Sequence, residues 1–187
     1  MKKVLLLPLM LGFQLALGAE IEGVRVDERI TLGAAELQLN GAGVRKRVFF
    51  KVYVGALYLT EKKSGAAEAI ALKGAKRVSM TLLRDLGARQ LSEALEEGIR
   101  ANHSQAELAS LRERIELLVA VMNEIGGAKE KMAIALDFLP ESGTRITVDG
   151  AARGKLIPGE DFYAALLRIW LGDKPVDADL KKAMLGQ

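Results

Sequence analysis

The chain has 187 residues, half of them apolar and 27% charged, with 27 basic against 24 acidic side chains and a net charge of +3. That length suits one domain with a single sizeable core, and so even a charge balance lacks the basic stripe of a nucleic-acid binder. With no cysteine and one histidine, His103, disulfides, thiol catalysis, iron–sulfur clusters, cysteine zinc sites and multi-histidine metal centres are excluded.

The first segment, "MKKVLLLPLMLGFQLALGAE", combines a basic start, an apolar run from Val4 to Leu17 and small residues after it. This is the pattern of a secretory signal peptide, with cleavage after Gly18 or Ala19, and it predicts a periplasmic or secreted protein. Pro8 and Gln14 interrupt the run, which falls short of the ~20 apolar residues a membrane span needs. No other run is long enough to span, so the mature chain is expected to carry no transmembrane segment.

From Glu20 to Thr60 the pattern is that of strands: "IEGVRV", "AELQL", then "RVFFKVYV". In the last, Val48, Phe50, Val52 and Val54 share one parity and Arg47, Phe49, Lys51 and Tyr53 the other. "KRVSMTLLRDL" predicts a further strand. A helix is expected over Arg89–Ala101 and a second from Ser104, where "SQAE" is a capping box and Gly126-Gly127 the stop. "KMAIALDFLP" returns to strand, with Met132, Ile134, Leu136 and Phe138 on one side. "TRITVDGAARGKLI" predicts a hairpin about Asp149-Gly150. "GEDFYAALLRIWLG" is a helix stopped at Gly172, and "DADLKKAML" a short one capped by Asp177. This order is α+β: a mainly antiparallel sheet with helices on one face, in a single domain spanning residues 19–187.

Candidate chemistry is sparse. "GAKEKM" and "NGAGV" lack the spacing of a phosphate-binding turn and read as loop glycines. Glu96-Glu97 and Glu160-Asp161 are adjacent pairs that project about 100° apart on a helix, as solvated charges do. His103 reads as a surface loop residue, and Trp170 as either core or pocket wall. No cofactor or metal is expected. The stretch "GAGVRKRVFFKVYVGALYL" (41–59) is different. A guanidinium buried without a partner is costly, so Arg45 and Arg47 must face water along a strand edge, pair with a carboxylate, or await an anionic ligand.

That stretch, with "SMTLLRDL", "ALEEGI", "SGTRITVDG" and "IPGEDFYAALLRIWLGDKPVDADLKKAML", resembles the chalcone isomerase-like superfamily, specifically its bacterial exported branch, over nearly all of the mature chain. The resemblance implies an open-faced β-sandwich-like fold: a large antiparallel sheet, helices layered on one face, and a cleft between them. It also implies one of three functions: ring closure of chalcones, fatty-acid binding through an arginine and a tyrosine, or binding without chemistry. Carried over residue by residue, the family's arginine falls on Arg45, with Arg47 as second choice, and its hydroxyl residue on Tyr53. The positions of the enzymes' catalytic tyrosine and asparagine fall on Leu91 and Gly98. Their lysine falls near Thr81 or Leu82, and their small polar residue on the last long helix on Ile169, followed by Trp170.

What is left is an arginine, a tyrosine and an apolar wall. The reading is therefore a non-catalytic periplasmic binder of a fatty acid or similar amphipathic carboxylate. Its expected ligand-binding residues are Arg45, Tyr53, Arg47, Phe50, Leu91, Ile169 and Trp170, with Arg84 outside the site. A residual isomerase, with Arg45 steadying an enolate oxygen, and an envelope partner-binding protein without a small ligand are the alternatives. One geometric condition applies. Eight residues of unbroken strand would hold Arg45 and Tyr53 about 26 Å apart, so the chain must reverse between them for both to meet one ligand.

Overall fold

Seven antiparallel strands form the frame on which everything else packs. The computed structural model describes residues 18–187; all but the last residue of the expected signal peptide (1–18) lies outside them. In their order across the sheet the strands are β11 (Ala151–Ile157), β10 (Gly143–Val148), β9 (Ala133–Leu139), β6 (Lys76–Leu82), β5 (Phe50–Leu59), β4 (Ala35–Arg47) and β3 (Arg29–Leu32). Two smaller pairs accompany them: β1 (Ala19–Ile21) with β2 (Val24–Val26), and β7 (Leu86–Gly87) with β8 (Gly127–Ala128). The helices are α1 (Ala66–Ala71), α2 (Ala88–Ala101), α3 (Gln105–Ile125), α4 (Glu160–Leu171) and α5 (Ala178–Met184); α1 has no counterpart in the sequence reading.

Strand alternation sorts side chains onto two faces. Val78, Met80 and Leu82 of β6 join Ile134, Leu136 and Phe138 of β9 in the larger core, which α2, α3, α4 and α5 cover. Val54, Ala56 and Tyr58 of β5 point the other way, into a smaller cluster with Val26, Leu32 and Leu37. Ile21 and Val24 of the β1–β2 hairpin pack against that second cluster. The fold is thus a large antiparallel sheet with helices on one side, as the sequence pattern implied.

Several local signals hold. Ser104 Oγ accepts from Glu107 N–H while Glu107 Oε2 accepts from Ser104 N–H at 2.8 Å, a closed capping box. Gly126 ends α3 at φ 76°, and Asp149 and Gly150 turn the β10–β11 hairpin at φ 49° and 80°. Asp177 caps α5 by accepting from the N–H groups of Asp179 and Leu180.

Two expectations are corrected. "RVFFKVYV" is not one strand: the chain reverses at Val48-Phe49, with Arg47 opposite Phe50 and Arg45 opposite Tyr53. β3 pairs with β4 only at Ala35–Gln38 and β6 with β5 only from Tyr53 onward, so the basic residues crown a hairpin tip that projects beyond the neighbouring strands and is itself open-edged. "NGAGV" is not a loop but part of β4, where α5 lies against the backbone. A Cβ on Gly41 would come within van der Waals overlap of Ala183 O, and one on Gly43 would sit 2.6 Å from Ala183 Cβ. Glycine here lets a helix touch a sheet.

Candidate functional site: a cationic mouth on an apolar cavity

Where α5 stops covering the sheet, a cavity of about 330 Å³ opens between the β4–β5–β6 end and helices α2 and α4. Its floor and walls are Met80, Val52, Leu91, Leu95, Ile169 and Trp170, and its mouth carries Arg45, Arg47 and Arg84. All seven residues singled out from the sequence line it: Arg45, Arg47, Phe50, Tyr53, Leu91, Ile169 and Trp170. The volume lies at the lower end of the range typical of small-molecule sites.

The hairpin meets the geometric condition set above. Arg45 and Tyr53 are directly opposed across β4 and β5, and opposed residues share a face. The Arg45 guanidinium carbon sits 5.5 Å from the Tyr53 ring centroid, a cation–π distance. A bulge then reshapes the site. Arg45 pairs with Tyr53 but Lys46 pairs with Lys51, which leaves Val52 as an extra residue on β5. The bulge switches the strand's parity, so Phe50 and Val52 face the cavity together with Tyr53. Unbroken alternation would have sent them to opposite faces.

Arg45 is the electrostatic feature of the site. Its Nε is buried and meets no hydrogen-bond partner among the described residues. The acid whose field reaches the neighbouring Tyr53 is Asp177, and both of its oxygens are engaged by backbone. Oδ2 accepts from Lys46 N–H at 2.8 Å, and Oδ1 from the N–H groups of Asp179 and Leu180 at 2.9 and 3.0 Å. Asp177 therefore rivets α5 to the strand beside Arg45. The other acid at the mouth, Asp85, accepts from Lys129 Nζ at 2.8 Å and Glu130 N–H at 2.9 Å. Those two contacts, the Lys129 bond foremost, hold its carboxyl below the usual range.

Tyr53 is buried, and burial pushes its phenol above the ordinary value of 10.0 against the opposing pull of Arg45 and Trp170. Trp170 Nε1–H donates to the Tyr53 oxygen at 2.8 Å. An indole N–H only donates, so the tyrosine proton is left for a further acceptor. Trp170 is therefore both a core residue, 1% exposed, and a cavity wall that orients the hydroxyl.

The wall is apolar where the family resemblance placed enzyme groups. Leu91 and Ile169 line the cavity. Gly98 lies against α4, where an added Cβ would sit 2.7 Å from Ile169 Cγ2, so its smallness seats Ile169. Of the two candidates on β6, Leu82 faces the helices within the larger core. His103 is remote from the cavity, its Nδ1 2.7 Å from Ile99 O. Glu160 bonds Lys73 and Asp161 bonds Arg114, both at the surface.

Sequence reasoning missed Arg84, which was set outside the site. Its guanidinium lies 4.6 Å over the Phe50 ring, at the rim of the cavity. The signal was present: Arg84 closely follows β6, and β6 pairs with β5. Met80 and Leu95 were also missed as lining, having been read only as strand and helix core.

Among the described residues no helix is long and apolar enough to cross a membrane, and no cluster of acidic or histidine side chains could hold a metal ion. No curated protein matches the chain. Among solved structures, an Arabidopsis thaliana fatty-acid binding protein superposes with a TM-score of 0.68 at 14% identity, over 90% of this chain and 95% of that one. At that identity the likeness is one of fold. The chalcone isomerase-like family profile matches residues 18–186, and the chain belongs to that family.

Proposed function

We propose that this protein is a non-catalytic carrier of a fatty acid or similar amphipathic carboxylate, exported to the periplasm by its N-terminal leader. The observation that carries the reading is Arg45: a guanidinium whose buried Nε has no partner, at the mouth of a cavity walled by aliphatic and aromatic groups. A half-buried guanidinium with an unpartnered buried N–H is destabilising, and a carboxylate would complete it through paired N–H···O bonds. The free proton of Tyr53 would add a neutral donor, and the alkyl chain would run along Leu91, Leu95, Ile169 and Trp170. The fold likeness to a plant fatty-acid binding protein supports the same reading.

Ring closure of a chalcone is the weaker reading. General acid–base chemistry needs positioned proton carriers, and the wall positions that would hold them are Leu91 and Ile169.

The test is native mass spectrometry of protein isolated without denaturation, followed by release and identification of small molecules. A co-purifying long-chain carboxylate is the expected result. Titration with a fluorescent fatty acid then asks whether Arg45→Leu weakens binding. Undiminished affinity in that variant would overturn the anchor.

A further inference from the structure

The tip of the β4–β5 hairpin carries three consecutive apolar side chains into solvent: Val48 at 80%, Phe49 at 93% and Phe50 at 59% exposure. Among the described residues only Leu117 and Leu156 are other large apolar side chains exposed in this way, and they stand apart. The turn has two residues, because Arg47 pairs directly with Phe50, and Val48 occupies it at φ 58°. Such a turn ordinarily recruits glycine or asparagine, and a β-branched residue at positive φ is an outlier. A valine held there keeps the tip apolar at the expense of its own backbone. Around it stand Lys46, Arg47, Lys51 and, stacked on Phe50, Arg84. Among the described residues two acids bond this collar: Glu22 pairs with the Lys51 ammonium at 2.7 Å, and Asp177 accepts from the backbone N–H of Lys46 and leaves that side chain's charge unpaired.

We infer that this hairpin is a membrane finger that docks on a bilayer bearing anionic headgroups, with Val48 and Phe49 entering the acyl boundary and Lys46, Arg47, Lys51 and Arg84 lying at the phosphates. An apolar wedge inside a basic collar is the arrangement by which interfacial segments bind such surfaces. Charge selects this occupant over a second copy of the chain. Pairing two tips would bring two basic collars together, whereas an anionic surface neutralises one. Position supplies the other argument. Arg47, Val48 and Phe50 also line the cavity, so a docked tip sets the mouth at headgroup level, where an amphipathic acid would enter without crossing water. Docking itself does not depend on what the cavity holds.

The experiment is flotation of the expected mature chain, residues 19–187, with vesicles of phosphatidylcholine alone or of phosphatidylcholine mixed with phosphatidylglycerol, without added fatty acid. The wild-type chain should float with the anionic vesicles and not with the neutral ones, and 0.5 M NaCl (about a 4–5 Å screening length) should strip it. Phe49→Ser, which changes a side chain outside the cavity lining, should weaken partitioning at least about tenfold. Lys46→Glu with Lys51→Glu should weaken it about fivefold or more per charge. Both variants should keep wild-type fatty-acid affinity, which separates failure of docking from failure of the carrier reading. Equal flotation with both vesicle types, or with neither, would overturn the inference. So would a dimer in sedimentation that Phe49→Ser dissolves.

Discussion

The same sheet carries two clusters of half-buried arginine, one on each face, and they are built on opposite plans. On the face away from the helices, Asp137 of β9 lies between Arg77 of β6 and Arg145 of β10, all three in register. Asp137 is fully buried and accepts from Arg77 Nε at 2.5 Å, Arg77 Nη2 at 2.8 Å and Arg145 Nη2 at 3.0 Å. Arg145, like Arg45, leaves its Nε without a partner, but its guanidinium still bonds a carboxylate. On the helical face Arg45 has the ring of Tyr53 beneath it, and the nearby acid is tied to backbone. In the first cluster each guanidinium bonds a carboxylate of the chain. In the second, under the carrier reading, the carboxylate would come from outside.

The largest effect should come from opening the closed cluster. Asp137→Asn removes the charge that two guanidinium groups share, and loss of one partner from a buried ionic group costs about 3–5 kcal/mol. Urea unfolding should show the midpoint falling with little change in slope. A loss below about 1 kcal/mol would mean that the arginines escape to water and that the two clusters do not differ in kind.

Arg45→Leu should do the reverse. Stability of the empty protein should hold or rise, because a half-buried, incompletely paired charge is exchanged for an apolar group. Carboxylate affinity should fall about ten- to hundredfold, the worth of hydrogen bonds to a charged group. Stability and binding thus move in opposite directions at Arg45. At Asp137 stability falls first, and binding changes only as far as the fold does. A destabilised Arg45→Leu protein would show that the cavity mouth is held together by Arg45 and is not waiting for a ligand.

A smaller effect is expected at Tyr53→Phe. The change removes the neutral donor and leaves Trp170 Nε1–H without an acceptor, at about 1–3 kcal/mol. Because burial raises the Tyr53 phenol above 10.0 in the folded protein, its contribution to stability is present in full below pH 10.0 and is lost as the pH rises from there through the folded value. Wild-type unfolding followed from pH 8 to 11 should therefore steepen above pH 10, and Tyr53→Phe should lack that component.

Much of this was written in the sequence, and the exceptions have a common cause. Elements defined by their own residues were legible: the Ser104–Glu107 box, the Asp149-Gly150 turn, the Asp177 cap and the apolar stripes of α2 and α4. Their signals are local. The reversal at Val48-Phe49 was not legible, because a valine stands where turn chemistry asks for glycine and the strand alternation runs through it undisturbed. The role of Gly41 and Gly43 was hidden for a related reason, since it belongs to α5, more than 130 residues away along the chain. The seven candidate side chains share one cavity only because a hairpin and a bulge act together. Alternation alone would have sent Phe50 and Tyr53 to different faces. Arg84 was missed because its part in the site comes from strand pairing, β6 beside β5, and no motif within its own segment records that.

The smallest predicted effect decides which arginine is the anchor. Arg47 and Arg84 line the same cavity but are exposed, and exposed charge pairs contribute about 0–1 kcal/mol that salt screens. Arg45 is partly buried, with its Nε fully so, where screening is weak. Titrations of Arg47→Ala and Arg84→Ala with a fluorescent fatty acid should accordingly show a loss of about fivefold or less. That loss should vanish as NaCl is raised from 0.02 to 0.5 M, while the Arg45→Leu loss persists across the same range. An Arg47→Ala defect as large as that of Arg45→Leu, and as insensitive to salt, would move the anchor to the rim. The carboxylate would then sit among the headgroup-level arginines, and Arg45 would be a buried charge steadied by the Tyr53 ring and the field of Asp177.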